Sequence, residues 1–157
     1  MNNLSKLNSL WKDLKIRTVE TATESQVAEL EVSHNLQLPQ DLRDYFTAIN
    51  GTDGESDNEL FSFYTLAQFQ AATQVLGAWQ NGIPRHSDVL DKIHGIETYY
   101  VFADYFISLT FYAIKLYPTA SAENEVYAIC GRDYKVIAKS FSEFIDMYLQ
   151  QSAELII

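Results

Sequence analysis

The sequence predicts an α+β fold, a central antiparallel sheet of about four to six strands flanked by N-terminal helices and a C-terminal helix. Three observations carry this. Apolar residues in the first half recur at steps of three and four, the helical period. From Thr98 onward the chain is dense in Tyr, Phe, Val and Ile, broken only by short links. Ser140 and Glu143 then form an S-x-x-E capping box that opens a last helix with Phe141, Phe144, Ile145 and Tyr148 on one face. The 157 residues fit one domain, 1–157, long enough to bury about two thirds of the unfolded surface without disulfide or metal staples.

Leu4, Leu7, Trp11 and Leu14 form a narrow helical stripe with Lys6, Lys12 and Asp13 off it. The stripe is narrow and Lys is sparse, so packing onto the domain is favoured over a membrane-surface role. Thr23 with Gln26 reads as a capping box for a second helix over about 24–35, with Val27, Leu30 and His34 along its inner face. Glu31 falls near that face, where an unpaired carboxylate is costly. It is expected to hydrogen-bond a neighbouring backbone group or reach the rim. A catalytic carboxylate is the sharper alternative, and no partner stands at a useful spacing.

The stretch LPQDLRDYFTAING, Leu38 to Gly51, states a whole helix. Pro39 suits the first turn, Leu42, Tyr45, Phe46 and Ile49 share one face, Asp41, Arg43 and Asp44 fall on the other, and Asn50 and Gly51 tolerate the left-handed backbone that ends it. GTDGESDNE follows, with Asp53, Glu55, Asp57 and Glu59 on alternate positions. A calcium loop would want acids at its first, third and fifth positions, Gly at the sixth and Glu at the twelfth; here Gly54 directly follows Asp53. The loop is therefore read as an acidic contact surface.

Leu60 to Phe63 is expected as an edge strand, and Thr65 as the cap of a helix carrying Leu66, Phe69, Thr73 and Leu76 to about Gly77. Residues 80–97 hold Asn81, Gly82, Pro84 and Gly95, the punctuation of a long connection with a helical turn near 88–93. His86, Asp88, Asp91 and His94 lie in it; without a third ligand at a diagnostic spacing they read as solvated loop residues, and no metal is expected. Strands are expected at about 98–103, 107–117, 124–130 and 134–138, antiparallel because their links are short. Cys130 has no activating base or resolving partner and reads as a small buried hydrophobe. The tail Leu155, Ile156, Ile157 is expected to dock or to join a neighbouring chain.

The net charge of −10 is uneven. Residues 1–17 hold four Lys or Arg and one Asp, for +3, whereas residues 20–60 hold ten acids and one Arg, for −9. Such a field repels nucleic-acid backbones and anionic membranes and steers a basic partner toward the acidic segment, while a merely solubilising surface is the plainer reading of the same charge. A single Cys favours a reducing compartment, no apolar run approaches a bilayer span, and the N-terminus has no signal-peptide core, so the cytoplasm is the expected location. GxGxxG, P-loop and GxSxG patterns are absent, which leaves nucleotide folds and hydrolase nucleophiles without support, and no cofactor is expected.

Several blocks in order resemble the SUKH superfamily, which includes the yeast cell-wall synthesis regulator and many bacterial immunity proteins. They are ELEVSHNLQLPQDLRDYFTAING, with Glu31, Leu38, Pro39, Asn50 and Gly51; VFADYFI at 101–107 followed by YAIKL at 112–116; the Val126 strand; and IAKSFSEFIDMYL at 137–149. The chain departs from the family in lacking a Gly-rich turn near the middle strands, where Ala103, Asp104 and Tyr105 stand. The resemblance implies an α+β fold and a non-enzymatic role, with bacterial members neutralising a polymorphic or contact-dependent toxin, often a nuclease, by direct binding. It brings no catalytic residues. The expected contact residues are Asp53, Glu55, Asp57, Glu59 and Asp104, and the expected partner is a cognate toxin with a basic surface. The alternatives are a regulatory or scaffold protein binding cellular partners, and a metal-assisted enzyme resting on His86, Asp88, Asp91 and His94.

Overall fold

The computed structural model describes residues 3–17 and 19–157. In chain order the elements are α1 (Asn3–Asp13), α2 (Glu24–His34), α3 (Gln40–Ala48), β1 (Phe61–Phe63), β2 (Gln70–Ala71), α4 (Ala72–Gly77), β3 (Tyr99–Tyr105), β4 (Thr110–Lys115), β5 (Val126–Cys130), β6 (Asp133–Ala138) and α5 (Phe141–Leu149). The strands form one antiparallel sheet in the order β1-β3-β4-β5-β6, with β2 pairing β3 beyond the end of β1. The α+β architecture is the expected one, and its helices open and close the chain as the sequence indicates.

Side chains pack on both faces of the sheet, while most of β6 stays exposed. Alternation along the strands sends Tyr100, Phe102, Tyr112, Ile114, Val126 and Ala128 to one side, where they join Leu7 and Trp11 of α1, Leu42, Tyr45 and Phe46 of α3, and Phe141, Phe144 and Ile145 of α5. Phe102 is the extra residue of a bulge between Val101 and Ala103, and its ring meets Phe141 at 5.3 Å and Phe144 at 4.9 Å. Tyr99, Val101, Phe111, Ala113 and Ile129 face the other way, against Ala72, Leu76, Val89, Ile93 and Ile96. Each such large side chain is worth roughly 1.5–3 kcal/mol when fully buried, so the 72–96 segment is a second layer of the fold and not a loose connection.

The local signals act where the sequence places them, save that Pro39 stands one residue earlier than the expected first turn. Thr23 and Gln26 form the full reciprocal capping box of α2, at 2.9 and 3.1 Å. Ser140 Oγ accepts from Glu143 N at the start of α5. Pro39 sits at the N-cap of α3, one position before its first helical residue. Asn50 and Gly51 both have positive φ, and a Cβ on Gly51 would stand 2.6 Å from the Phe63 carbonyl oxygen.

Five expectations are corrected. Thr65 and Gln68 do form a reciprocal cap, yet the turn stops, because Gln70 and Ala71 pair with Val101 and Tyr100 of β3 before the chain recoils into α4. Strand β4 starts at Thr110 and not at 107, because Phe106, Ile107 and Ser108 all have positive φ and build a tight left-handed turn. His86 is fully buried, whereas the sequence places it in a solvated loop. His34 is exposed at the end of α2, its ring centroid 5.6 Å from that of Tyr100, and Cys130 is only half-buried.

The tail docks in part: Leu155 is buried and its carbonyl accepts from Tyr112 Oη at 2.9 Å, while Ile156 and Ile157 stay exposed.

Candidate functional site

The acidic loop between α3 and β1 begins at the close approach of Gly51 to the β1 backbone, and Thr52 fixes it there. Its amide and hydroxyl donate to the Phe63 carbonyl, and its hydroxyl accepts from Phe63 N at 3.1 Å. Asp53 and Gly54 both have positive φ and turn the chain outward. Arg17 meets the tip from the N-terminal segment, its guanidinium 3.4 Å from Asp53 and its backbone N–H 3.4 Å from Glu55 Oε1. These contacts are exposed and leave the local acid excess in place.

Asp57 has a different place. It is 6% exposed, its Oδ1 accepts from Glu59 N at 2.8 Å and Phe61 N at 2.9 Å, and its Oδ2 accepts from the Tyr148 hydroxyl. Tyr148 Oη in turn accepts from Trp11 Nε1 at 3.0 Å. Burial, with the Asp57 hydrogen bond, pushes the Tyr148 hydroxyl well above the ordinary phenol range and keeps it a donor. Asp57 thus ties the loop to α5 and α1, and its carboxylate does not point to solvent.

Asp104, at the end of β3, is half-buried and accepts from Tyr64 Oη at 2.8 Å and Ser108 Oγ at 3.4 Å. Burial raises its pKa against the lowering by those donors, and burial with the Asp104 charge raises that of Tyr64. Asp104 lines an open groove of about 720 Å³ together with Gly54, Ser56, Ser62, Tyr64 and Ile107. Glu59 and Asp57 line a separate depression of about 430 Å³ with Phe61, Tyr105, Tyr148 and Ile156. The structure therefore brings Asp104 to the loop that carries Asp53 and Glu55, sets Glu59 on the other side, and puts Asp57 beneath.

Two polar centres lie outside this area. Glu31 accepts from Leu38 N at 2.7 Å and takes Arg43 Nη2 on both oxygens, at 2.6 and 2.7 Å, while Arg43 Nη1 reaches Glu24 at 2.9 Å. Burial works against the Arg43 charge, and its hydrogen bonds to Glu31 and Glu24 outweigh that and raise its pKa. Asp41, also read as outward, accepts from Ser142 N at 2.8 Å and joins the starts of α3 and α5. His86 packs between Trp79 and Phe111. Its Nε2 lies 2.8 Å from the Ser108 carbonyl, which only accepts, and its Nδ1 accepts from Gly131 N at 3.1 Å, so the ring is the neutral Nε2–H tautomer. Burial lowers its pKa, and the Ser108 carbonyl opposes this. Among the described residues, no group of three or more His, Cys, Asp or Glu is placed to hold a metal ion.

Sequence reasoning missed the 106–108 turn and the His86 bridge. FIS contains neither Gly nor Asn, so nothing local marks a left-handed turn. The signal that could have found His86 is the apolar set around it, Trp79, Val89, Ile93 and Ile96, which reads as a covering layer.

The class of protein is set by this fold, an α+β domain with an antiparallel sheet packed on both faces and an acidic loop overhanging a groove at the sheet edge. The sequence model of the SMI1 / KNR4 family (SUKH-1) matches residues 21–147, and the chain belongs to that family. The family is known for immunity proteins and for SMI1/KNR4-like proteins and is not a known enzyme family. A search of curated proteins finds no match. Among the described residues, no helix is long and apolar enough to cross a membrane.

Proposed function

We propose that this chain is an immunity protein, acting in the cytoplasm, that binds a cognate bacterial polymorphic or contact-dependent toxin and neutralises it by direct contact. The observation that carries this reading is the charge: −10 in total, with −9 gathered in residues 20–60 and presented in part on a loop. A basic toxin surface, of the kind a nuclease uses to hold phosphates, is attracted by that field, while nucleic acid itself and anionic membranes are repelled. Asp53, Glu55 and Glu59 make the outer contacts, Asp104 contributes from the groove floor, and Asp57 acts by holding the loop in shape. No cofactor or metal takes part in this mode of action.

The test is co-expression with the polypeptide encoded immediately upstream, reading both cell survival and complex formation. Rescue from toxicity with a stable, salt-sensitive complex is the expected result. Absence of both toxicity and complex overturns the immunity reading and moves weight to a regulatory protein that binds cellular partners.

A further inference from the structure

Among the described residues, the apolar side chains carried on a positive-φ backbone are Leu60, Phe106 and Ile107. All three are exposed, at 41%, 49% and 82%, and Ile83 beside them is 96% exposed. They run together. Phe106 N donates to the Leu60 carbonyl at 2.9 Å, and Phe106, Ile107 and Ile83 line one small cleft over Trp79 and Pro84. A left-handed backbone is unfavourable for any residue with a Cβ and most unfavourable for a β-branched one such as Ile107. Ile107 leaves most of its surface in solvent and Phe106 about half, so burial returns little of that cost.

The turn is nonetheless held. Ser108 is fixed twice, its carbonyl by buried His86 and its hydroxyl by Asp104, and Leu109 N closes onto the Tyr105 carbonyl. A fold that rigidly presents costly, exposed apolar side chains is pre-organised to place them in a pocket of another molecule.

We infer that Leu60, Ile83, Phe106 and Ile107 form the apolar anchor of the partner interface, and that the partner offers an apolar pocket rimmed by Lys and Arg. The inference rests on the immunity reading and adds where the binding is centred. The basic rim follows from the neighbours: Glu59 directly precedes Leu60, and Ile107 lines the same groove as Gly54 and Ser56, which flank Glu55. Interfaces of this kind draw most of their affinity from a few buried apolar side chains, with charges at the rim setting approach and register.

Asn is among the residues most tolerant of a left-handed backbone, so Phe106→Asn and Ile107→Asn remove the anchors without straining the turn. The probe is the catalytically inactivated polypeptide encoded immediately upstream, titrated against wild type, each variant, and Val32→Asn, which removes an equally exposed apolar residue from α2. The expected result is an unchanged or raised Tm in both turn variants, affinity lowered at least about thirty-fold, and wild-type binding by the Val32 variant.

A clear fall in Tm shows that the turn serves the fold and overturns the inference. Wild-type affinity in both turn variants also overturns it and leaves the immunity reading standing. Failure of wild type to bind the probe or rescue the cell overturns the immunity reading and the partner named here with it. Sedimentation that shows the wild type self-associating through Ile107 makes a second copy the occupant, which likewise overturns it.

Discussion

Glu31 illustrates how one carboxylate can take the place of several loop contacts. It accepts from Leu38 N in the link between α2 and α3, and both its oxygens hold Arg43. Side-chain exposures of 13% for Glu31 and 18% for Arg43 place the pair between a surface ion pair and a fully buried one. Glu31→Ala is expected to lower the unfolding free energy by roughly 2–3 kcal/mol, measured by urea denaturation. A double-mutant cycle with Arg43→Ala should then show strong coupling, since each single change breaks the contact of Arg43 Nη2 with both Glu31 oxygens. A result within the error of wild type for both singles contradicts the structural role.

His86 makes the second residue-scale prediction. Its folded pKa is lowered from 6.5 by burial, so between that lowered value and 6.5 the unfolded chain binds more protons than the folded one. Its contribution to stability is complete above 6.5 and is lost as pH falls through the folded value. Protonation also takes away the lone pair that accepts Gly131 N–H. Wild type is therefore expected to lose stability across that acidic window more steeply than His86→Gln, whose side chain does not titrate; parallel curves for the two would rule the ring out as the source.

At the scale of elements, glycines separate required from incidental backbone freedom. Gly51 combines φ of 82° with backbone atoms of Phe63 and Tyr64 2.6 to 2.7 Å from where a Cβ would lie. Gly77, the last residue of α4, has nothing within 4 Å. Gly51→Ala is expected to cost roughly 2 kcal/mol or more, and Gly77→Ala to leave Tm unchanged or slightly raised; thermal unfolding of the two variants side by side checks both.

Elements governed by nearest neighbours were legible in the sequence: the caps at Thr23 and Ser140, the apolar face of α3, and the Asn50–Gly51 stop. Elements decided by a distant partner were not. Thr65 and Gln68 start a helix on local terms, and β3 then captures residues 70 and 71 for the sheet. The 106–108 turn carries strand-forming side chains, and contacts from distant His86 and Leu60, with Asp104, hold it left-handed. For the same reason the acidic loop was visible as charge, while the burial of Asp57 depends on Trp11 and Tyr148, 46 residues before it and 91 after it.

For the molecule as a whole, the acids divide into those that shape the fold and those that shape its field, and the two groups respond differently to substitution. Asp57 holds two backbone amides and the Tyr148 hydroxyl, so Asp57→Ala leaves several buried donors unpaired and is expected to cost roughly 2–4 kcal/mol. Among the described residues, the side chains of Asp53 and Glu55 contact only the exposed Arg17, so Asp53→Lys with Glu55→Lys is expected to cost no more than about 1 kcal/mol, most of it from placing Lys in the left-handed backbone that Asp53 tolerates. The same double reversal moves the net charge from −10 to −6 and removes the loop's attraction for a basic surface. Association with the upstream-encoded polypeptide should then slow by about tenfold or more at low salt, with dissociation little changed, because rim charges act on approach. Raising the salt should narrow the gap, since at about 0.15 M charges more than about 8 Å apart are largely screened. Stopped-flow mixing at several salt concentrations separates the two rates. Equal association rates for wild type and the reversed loop would show that the acidity of residues 20–60 serves solubility, and that recognition resides in the apolar turn alone.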